Sequence, residues 1–241
     1  MNLDQTGQHY LIDKAFAQFI VDHGELTADD IVLEIGYGQG ALTKLLEKKC
    51  AVIAIDIADN RWKSNRVTFY TGNILEEFDV LSKKHHCNKI ISNIPYAISE
   101  PLLRKLFKSD FDLAILLIGK NFAELLAGGN NRIGILAQSF YDIEILRTVP
   151  KKSFHPQPRV DSAIVRIEPK PLDMLSQKAV IYKKLVLLDE KKLINAFEKI
   201  FVHKTKKEIA ALCKKEFYTK KLFQLTNEEF VELDADLERF V

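Results

Sequence analysis

The stretch "DIVLEIGYGQGALTKLLEKKCAVIAIDI", residues 30–57, decides the fold class of this chain. Its first part, residues 30–36, is an apolar run that predicts a buried strand, and residues 40–49 have the apolar spacing of a helix. Residues 51–57 form a second apolar run of strand length. Because a helix connects the two runs, we expect the two strands to lie in one parallel sheet.

The same alternation continues through the first two thirds of the chain. Apolar runs at residues 67–73, 88–94 and 112–119 predict further strands, and residues 132–146 have the pattern of a helix that runs into a late strand. The stretch "SAIVRIEP", residues 162–169, alternates apolar and polar residues, as an edge strand with one solvated face should. We therefore predict an α/β fold, a doubly wound, Rossmann-like sheet with an antiparallel element near its end.

Strand signals stop after "EPKPLD", residues 168–173, a linker spaced by prolines. Three segments beyond this linker have helical patterns: 177–201, 204–217 and 226–240. The last of them begins with a Thr-Asn pair followed by two acids, which is a capping signal. The sequence thus predicts a Rossmann-like domain over residues 1–170 and a small helical domain over residues 171–241.

The composition is that of an ordinary globular protein, with 47% hydrophobic and 28% charged residues. No apolar run is long enough to span a bilayer, and the first residues lack the apolar core of a secretory leader, so we expect a cytoplasmic protein without a membrane partner. Cys50, Cys87 and Cys213 form no CxxC pair, and "KKHHC", residues 83–87, is interpreted as a solvated loop. No metal site is expected.

The charge is unevenly distributed along the chain, although the net charge is only +2. From Lys170 to Lys221 there are 14 Lys or Arg residues against 6 Asp or Glu residues, and from Leu222 to Val241 there is 1 against 6. A basic segment of this kind suits a surface that faces a polyanion, although lysine-rich helix faces are often only solvated.

Three glycines, Gly36, Gly38 and Gly40, join the first strand to its helix. Glycines at such a turn let the backbone approach a bound nucleoside closely. Asp56 ends the next strand, where its carboxylate can accept both ribose hydroxyls of an adenosine-containing cofactor, and Glu34 lies where it can meet the amino-acid part of a cofactor. The glycines alone also match a loose dinucleotide fingerprint, so NAD and a turn without a ligand both remain open.

A second motif, "SNIPYAISEP" at residues 92–101, follows the fourth strand. The exocyclic amine of adenine is a poor nucleophile, because its lone pair is delocalised into the ring. Two acceptors, the side-chain oxygen of Asn93 and the carbonyl oxygen of Ile94, would expose that lone pair, while Pro95 offers no competing N–H and Tyr96 can stack on the base. The target would have to be unpaired or flipped out of a helix. Although a turn with a core-packed tyrosine is the alternative interpretation, the motif favours S-adenosylmethionine over NAD.

The chain resembles the rRNA adenine N6-dimethyltransferases, the KsgA-type enzymes of bacteria and their archaeal and eukaryotic relatives, with the Erm resistance methyltransferases as close cousins. The matching motifs follow the family's order along nearly the whole chain: "GQHYLID" (7–13), "VLEIGYGQGALT" (32–43), "SNIPYAISEPLL" (92–103), "FHPQPRVDSAIVRI" (154–167) and "FVHKTKKEIAAL" (201–212). The brief helical end resembles archaeal members more than bacterial ones.

The resemblance implies S-adenosylmethionine as the cofactor and a role for each matching residue. The residues implied for the cofactor pocket are Gln8, His9, Leu11, Glu34, Gly36, Gly38, Gly40, Asp56, Ile57, Asn73, Ile74 and Asn93. Those implied for catalysis and the target base are Asn93, Ile94, Pro95, Tyr96 and Phe154, with the Phe154 ring on the face of the adenine opposite Tyr96. Asn73 departs from the family, which usually has an acid there, and predicts weaker cofactor affinity rather than lost activity.

The activity implied by the resemblance is dimethylation of two adjacent adenines in the loop near the 3′ end of small-subunit rRNA, within a pre-ribosomal particle. The helical domain would contact the rRNA, and the protein would act as a monomer. Two alternatives stay open: Erm-type methylation of one adenine in large-subunit rRNA, and a non-catalytic assembly factor that retains the fold. The intact "NIPY" motif and glycine loop argue against lost catalysis, and a dehydrogenase is disfavoured because no hydride-transfer acid is evident.

Overall fold

A computed structural model describes residues 9–240 of the chain, which divides into two compact units. The first unit contains the residues up to Ala127 together with Asp142–Pro169. The second contains Gly128–Tyr141 and the residues from Lys170 onward.

A seven-stranded sheet forms the centre of the first unit, and a separate pair of short strands accompanies it. The strands are β1 (Tyr10–Leu11), β2 (Ile31–Ile35), β3 (Ala51–Asp56), β4 (Val67–Thr71), β5 (Lys89–Asn93), β6 (Leu113–Gly119), β7 (Tyr141–Val149), β8 (Phe154–His155) and β9 (Ser162–Pro169). The sheet order is β4-β3-β2-β5-β6-β9-β7, and β1 pairs with β8. Strands β2 to β6 pair in parallel, whereas β9 is antiparallel to β6. The predicted Rossmann-like α/β fold with a late antiparallel element is confirmed.

The central strands of this sheet, β2, β3, β5 and β6, are buried on both faces. The helices of the first unit are α1 (Lys14–Asp22), α2 (Thr43–Leu46), α3 (Ile74–His85), α4 (Ser99–Leu106) and α5 (Lys120–Gly128). On one face, Val52 and Ala54 of β3 pack in a cluster with residues of α1 and α2. The alternate residues Ile53 and Ile55 point to the other face and are buried as well. Burial on both faces is typical of parallel strands and explains why their sequences are continuous apolar runs.

The prediction that residues 162–169 form an edge strand is wrong. Strand β9 lies between β6 and β7, and its first four residues are buried. The polar residues that produced the alternating pattern are Arg166 and Glu168, and the Arg166 guanidinium pairs with the carboxylates of Glu25 and Glu168. These charges are satisfied by ion pairs, so they do not mark a solvated sheet edge, and β7 occupies the edge instead.

Helices make up the second unit: α6 (Arg132–Phe140), α7 (Gln177–Leu187), α8 (Leu193–Ile200), α9 (Lys206–Leu212) and α10 (Asn227–Asp236). The ring of Tyr182 stacks on that of Phe230, with 5.5 Å between centroids, in the core of this unit. The predicted cap of the last helix is confirmed, because Thr226 and Glu229 form a capping box at the start of α10. None of the helices in the described part of the chain has the length and apolar character that a membrane span requires.

Residues 177–201 were predicted as one helix, but the chain leaves the helix between α7 and α8. The N–H of Leu193 donates to the carbonyl oxygen of Lys220 at 2.8 Å, and Lys192 forms an isolated bridge with Lys221. This interruption coincides with a contact to a distant segment. No glycine or proline lies between α7 and α8 to indicate it in the sequence.

The sequence prediction gave residues 128–141 to the first domain, whereas the structure places them in the second unit. The Arg132 guanidinium at the start of α6 donates to the carbonyl oxygens of Phe223 and Leu225, at 3.1 and 2.6 Å. Helix α6 therefore packs with segments that follow it by about 90 residues in the chain. The second junction between the units, Pro169 to Lys170, lies beside the predicted boundary at residue 170.

Candidate active site

The loops that follow β2, β3 and β5 meet at one edge of the sheet, because parallel neighbours end on the same side. The glycine loop, residues 36–40, follows β2; Asp56 is the last residue of β3, and Asn93 is the last residue of β5. The topology therefore brings together the two motifs that the sequence separates by more than 50 residues.

Two positions in the glycine loop require glycine for both conformation and space. Gly38 has φ +50°, and a Cβ atom there would lie 2.8 Å from the ring of Tyr10. Gly40 has φ +81°, and a Cβ atom there would lie 2.5 Å from the ring of Trp62. Any other residue would be strained in the left-handed region and would also displace an aromatic ring.

Asp56 is tied to the glycine loop by its carboxylate. Its Oδ2 atom accepts the N–H of Gly38 at 2.8 Å, and its Oδ1 atom accepts the N–H of Ala58 at 3.0 Å. The side chain is buried, so these hydrogen bonds hold it in one position. Each oxygen keeps capacity for one further donor, which suits a pair of vicinal hydroxyls.

Glu34 is a buried acid at the deep end of the site. It is 2% exposed, and its Oε2 atom has no hydrogen-bond partner. Burial raises the pKa of Glu34 to about 8, against the lowering effect of the Thr43 hydroxyl and amide, and the charge of Asp56 adds to the increase. An unsatisfied buried oxygen beside a cleft is costly, and a donor on a bound ligand would satisfy it.

The pKa of Glu34 predicts that the ligand-free protein loses stability as the pH rises. The folded-state pKa of about 8 is above the ordinary glutamate pKa of 4.5, so the folded protein binds more protons than the unfolded chain between these values. The stabilisation is complete below pH 4.5 and is lost as the pH rises through 8, by up to roughly 1.4 kcal/mol for each pH unit in this window. Glu34→Gln cannot ionise, so we expect its melting temperature to fall less than that of the wild type between pH 5.5 and 8. Superimposable melting profiles of the two proteins would contradict this assignment.

Asn93 has a defined amide orientation. Its Nδ2 atom donates to the carbonyl oxygen of His9 at 3.0 Å, and this oxygen can only accept. The imidazole of His9 is held in turn, since its Nδ1 atom lies 2.8 Å from the carbonyl oxygen of Pro156. The Asn93 side-chain oxygen therefore has no donor among residues 9–240 and is available to a ligand.

Tyr96 is held at both ends of its side chain. Its hydroxyl lies 2.6 Å from the hydroxyl of Ser162, which is fully buried at the start of β9. Its ring lies 5.8 Å from that of His9, between centroids. Burial raises the pKa of Tyr96, partly offset by the hydrogen bond to Ser162, so the phenol stays protonated at neutral pH. The ring is thus fixed in place rather than free to rotate into solvent.

Two connected clefts bring most of the predicted residues together. Including its open mouth, the first has a volume of about 400 Å³ and is lined by His9, Tyr10, Gly36, Gly38, Asp56, Asn93, Ile94, Pro95 and Tyr96. The second, of about 330 Å³ including its mouth, shares Tyr10, Gly36, Gly38 and Asn93 with the first. It adds Leu11 and Glu34 among its lining residues.

Some predicted cofactor residues lie away from these clefts. Ile57 is 66% exposed and Ile74 is buried, and neither lines them. Gly40 lines a neighbouring groove instead. Gln8 lies outside the described residues, so its predicted role in the cofactor pocket stays a prediction.

The side chains of Asn73 and Phe154 are engaged elsewhere. The Asn73 side-chain oxygen accepts the N–H of Leu75 at the start of α3, and its Nδ2 atom donates to Glu76. Phe154 is 3% exposed and packs in the same hydrophobic cluster as Leu11. Neither lines the clefts, so the predicted contacts of Asn73 with a cofactor and of Phe154 with a base stay predictions.

Three residues of the site were missed by the sequence prediction. Tyr10 lines both clefts although it lies between two predicted residues. The hydroxyl of Tyr37 donates to the carbonyl oxygen of Ala58 at 3.3 Å and accepts the N–H of Asn60 at 3.2 Å, which fixes the loop after β3. Ser162 positions Tyr96. Each of these three residues lies inside a motif quoted for the resemblance, so the motifs could have indicated them. The prediction assigned roles to neighbouring positions of the same motifs instead.

The cleft presents two hydrogen-bond acceptors and an aromatic ring. The Asn93 side-chain oxygen and the Ile94 carbonyl oxygen are two acceptors on consecutive residues, and the Tyr96 ring offers a surface for stacking. No group of three or more His, Cys, Asp or Glu side chains suited to a metal ion occurs within residues 9–240. The lining side chains can orient a ligand and form hydrogen bonds with it.

Comparison with known proteins identifies relatives over nearly the whole chain. A family profile described as ribosomal RNA adenine dimethylase matches residues 2–234. A protein of Methanococcoides burtonii named "Probable ribosomal RNA small subunit methyltransferase A" is 34% identical, with 94% of this chain and 90% of that protein covered. A protein of Pyrococcus abyssi with the same name is 30% identical, with 97% and 91% covered.

Two solved structures share the fold. A dimethyladenosine transferase from Plasmodium falciparum has a TM-score of 0.65 and 24% sequence identity, covering 96% of this chain and 98% of its own. The 23S rRNA methyltransferase ErmE has a TM-score of 0.60 and 19% identity, covering 95% and 99%. At these identities the similarity establishes the architecture alone.

Proposed function

Because this chain belongs to the ribosomal RNA adenine dimethylase family, we propose that it uses S-adenosylmethionine to dimethylate N6 of two adjacent adenines in the 3′-terminal loop of small-subunit rRNA. It is an rRNA adenine methyltransferase, and the relatives named above are small-subunit enzymes, which does not favour an Erm-type activity on large-subunit rRNA. The proposed partner is rRNA within a pre-ribosomal particle. The protein is proposed to act as a monomer in the cytoplasm.

The observation that carries this proposal is the fixed Asn93 amide beside the glycine loop. Its nitrogen is occupied by the His9 carbonyl at 3.0 Å, so its oxygen is left to accept a hydrogen bond from a target amine. The Ile94 carbonyl would accept the second hydrogen of the same amine. Two acceptors on one amine withdraw its hydrogens from the ring plane and expose the nitrogen lone pair.

The residues present fit S-adenosylmethionine on two observations. The unpartnered Glu34 Oε2 atom suits the cofactor's ammonium group, directly or through water, and Asp56 retains one acceptor site on each oxygen for the ribose hydroxyls. When bound, the cofactor supplies an electrophilic methyl group on a sulfonium. The proximity of Glu34 to a cationic ligand would favour its ionised form.

The other residues of the site bind and orient the target adenine. The Tyr96 ring, anchored by Ser162, stacks on the adenine, and the Asn93 and Ile94 oxygens in the same cleft accept the two hydrogens of its amine. No strong general base is needed, because the amine becomes acidic once it is methylated and its proton leaves to solvent.

The lysines of the helical unit are proposed to bind the rRNA backbone. Lys206 and Lys207 begin α9 and are exposed, and the ion pair of Lys206 with Glu198 is loose, at 3.8 Å. We expect Lys206→Glu with Lys207→Glu to weaken binding to unmethylated small subunits by roughly tenfold or more and to reduce its salt dependence. Binding of S-adenosylmethionine, measured by calorimetry, should be unchanged. Wild-type affinity of the variant for the subunit would reject this segment as a contact surface.

Transfer of labelled methyl groups tests the proposed function directly. Purified protein is incubated with S-adenosylmethionine and either unmethylated small subunits or protein-free large-subunit rRNA, and the modified bases are mapped. We expect two methyl groups on each of two neighbouring adenines of the small subunit. Modification of the large-subunit rRNA alone, or tight subunit binding without transfer, would overturn the proposal.

A further inference from the structure

A larger groove opens beside the candidate active site, between α1 and the segment formed by the glycine loop and α2. This α1–α2 groove has a volume of about 1200 Å³ including its open mouth. It shares Leu11, Gln39 and Ala41 with the deep end of the active-site cleft, so the two lie side by side. A polymer bound in the groove would therefore reach the site of chemistry.

Three lysines, Lys14, Lys44 and Lys48, line the groove, against a single acid, Asp13. Asp13 is committed to the start of α1, where its Oδ1 atom accepts the N–H groups of Ala15 and Phe16. Lys14 and Lys48 are exposed and have no acidic partner among residues 9–240. The groove thus carries a net positive charge that the protein itself does not neutralise.

The other acids near the groove are engaged elsewhere, and further lysines extend its rim. Asp22 pairs with Lys49 at 3.4 Å, and Glu47 accepts the hydroxyl of Ser64 at 2.6 Å. The exposed residues Lys151 and Lys152 begin the short turn that ends at Ser153, whose carbonyl oxygen accepts the N–H of Ile12 at 2.9 Å. Since Ile12 lines the groove, this hydrogen bond places the turn that begins with the two lysines next to the groove.

A second open groove in the same unit shows that this charge is not a general property of its surface. That opposite groove, of about 790 Å³, lies at the amino ends of β5 and β6. It is lined by Asp79, Asp110 and Asp112 together with Lys83 and Lys108. Acids and lysines there nearly balance, so the opposite groove has no comparable attraction for a polyanion and provides a matched control.

The floor of the α1–α2 groove is apolar, with Leu11, Ala17 and Leu45 among its lining, and Ile12 is 58% exposed at its edge. Lysines above an apolar floor suit a single polynucleotide strand, whose phosphates meet the charges while its bases lie against apolar surface. We propose that the α1–α2 groove binds the rRNA strand that flanks the target adenines. This inference rests on the proposed function, and the position beside the cleft favours rRNA over an acidic protein segment.

Removing the positive charge of two lysines in the α1–α2 groove tests the inference. We expect Lys14→Gln with Lys48→Gln to weaken binding of a single-stranded RNA oligonucleotide, containing the target loop and its flanks, by roughly tenfold. The slope of log affinity against log salt concentration should fall by about 1.4, at about 0.7 for each lost phosphate contact. The control, Lys83→Gln with Lys108→Gln in the opposite groove, should bind like the wild type. Unchanged affinity of the groove variant would overturn the inference.

Crosslinking identifies what lies in the groove. The native cysteines Cys50, Cys87 and Cys213 are buried, so a photoreactive label can be directed to Gln18→Cys in the α1–α2 groove or to Lys83→Cys in the opposite groove. With unmethylated small subunits, we expect Gln18→Cys to crosslink to nucleotides next to the target adenines and Lys83→Cys to give no such product. Crosslinks to a ribosomal protein, or to rRNA far from the target, would overturn the inference. Methyl transfer by the wild type in the same preparation shows separately whether the proposed function holds.

Discussion

Replacing Asn93 with alanine is expected to lower the rate of methyl transfer to small subunits by a factor of about 100 to 1000, which corresponds to roughly 2.7–4 kcal/mol of transition-state stabilisation. The variant loses the Asn93 side-chain oxygen, whose orientation is fixed by the 3.0 Å hydrogen bond from the Nδ2 atom to the His9 carbonyl. The Ile94 carbonyl alone would leave half of the target amine unbound. Single-turnover transfer measures the effect without interference from product release.

Two further variants show whether Asn93 acts through its oriented oxygen. Asn93→Asp keeps an acceptor but cannot donate to the His9 carbonyl, so we expect it to be impaired as well. Asn65→Ala removes an exposed amide from the loop before β4 and should transfer methyl groups like the wild type. Binding of Asn93→Ala to the subunit should be retained. Full activity of Asn93→Ala, or of Asn93→Asp, would contradict the role given to the anchored amide.

The sheet could be predicted from sequence because its central strands are buried on both faces. Continuous apolar runs such as residues 51–57 have no competing interpretation when helices separate them. The position of β9 and the break between α7 and α8 could not be predicted in the same way. Each depends on distant partners: the Arg166 ion pair with Glu25 and the hydrogen bond of Leu193 to Lys220. The local pattern of apolar and polar residues does not indicate contacts with residues that are distant in the sequence.

The site was predictable where a motif and the end of a parallel strand coincide. Asn93 satisfies both conditions, Gly38 lies in the motif that follows β2, and Asp56 ends β3; the topology brings all three to one cleft. The buried Phe154 and the capping role of Asn73 were not predictable, because a motif fixes the type of residue but not the conformation of its side chain.

Replacing Asp56 with alanine is expected to weaken S-adenosylmethionine binding by at least roughly a hundredfold. A hydrogen bond to a charged acceptor contributes about 1.5–3 kcal/mol, and two ribose hydroxyls would be lost together. The substitution also releases the N–H groups of Gly38 and Ala58, which Asp56 holds at 2.8 and 3.0 Å, so the glycine loop loses its support. Titration calorimetry with the cofactor alone measures this effect without rRNA.

Asp56→Asn distinguishes the charge of this side chain from its shape. An amide has one acceptor oxygen, so its NH₂ group would face the N–H of either Gly38 or Ala58, and we expect cofactor affinity to fall nearly as far as in the alanine variant. Asp59→Ala removes an exposed acid three positions further on, which pairs with Arg61 at 2.6 Å, and should leave affinity unchanged. If Asp56→Asn binds the cofactor like the wild type, the two-oxygen acceptor role is wrong. If Asp59→Ala weakens binding as much as Asp56→Ala, the effect is one of overall charge and the ribose contact has no special part in it.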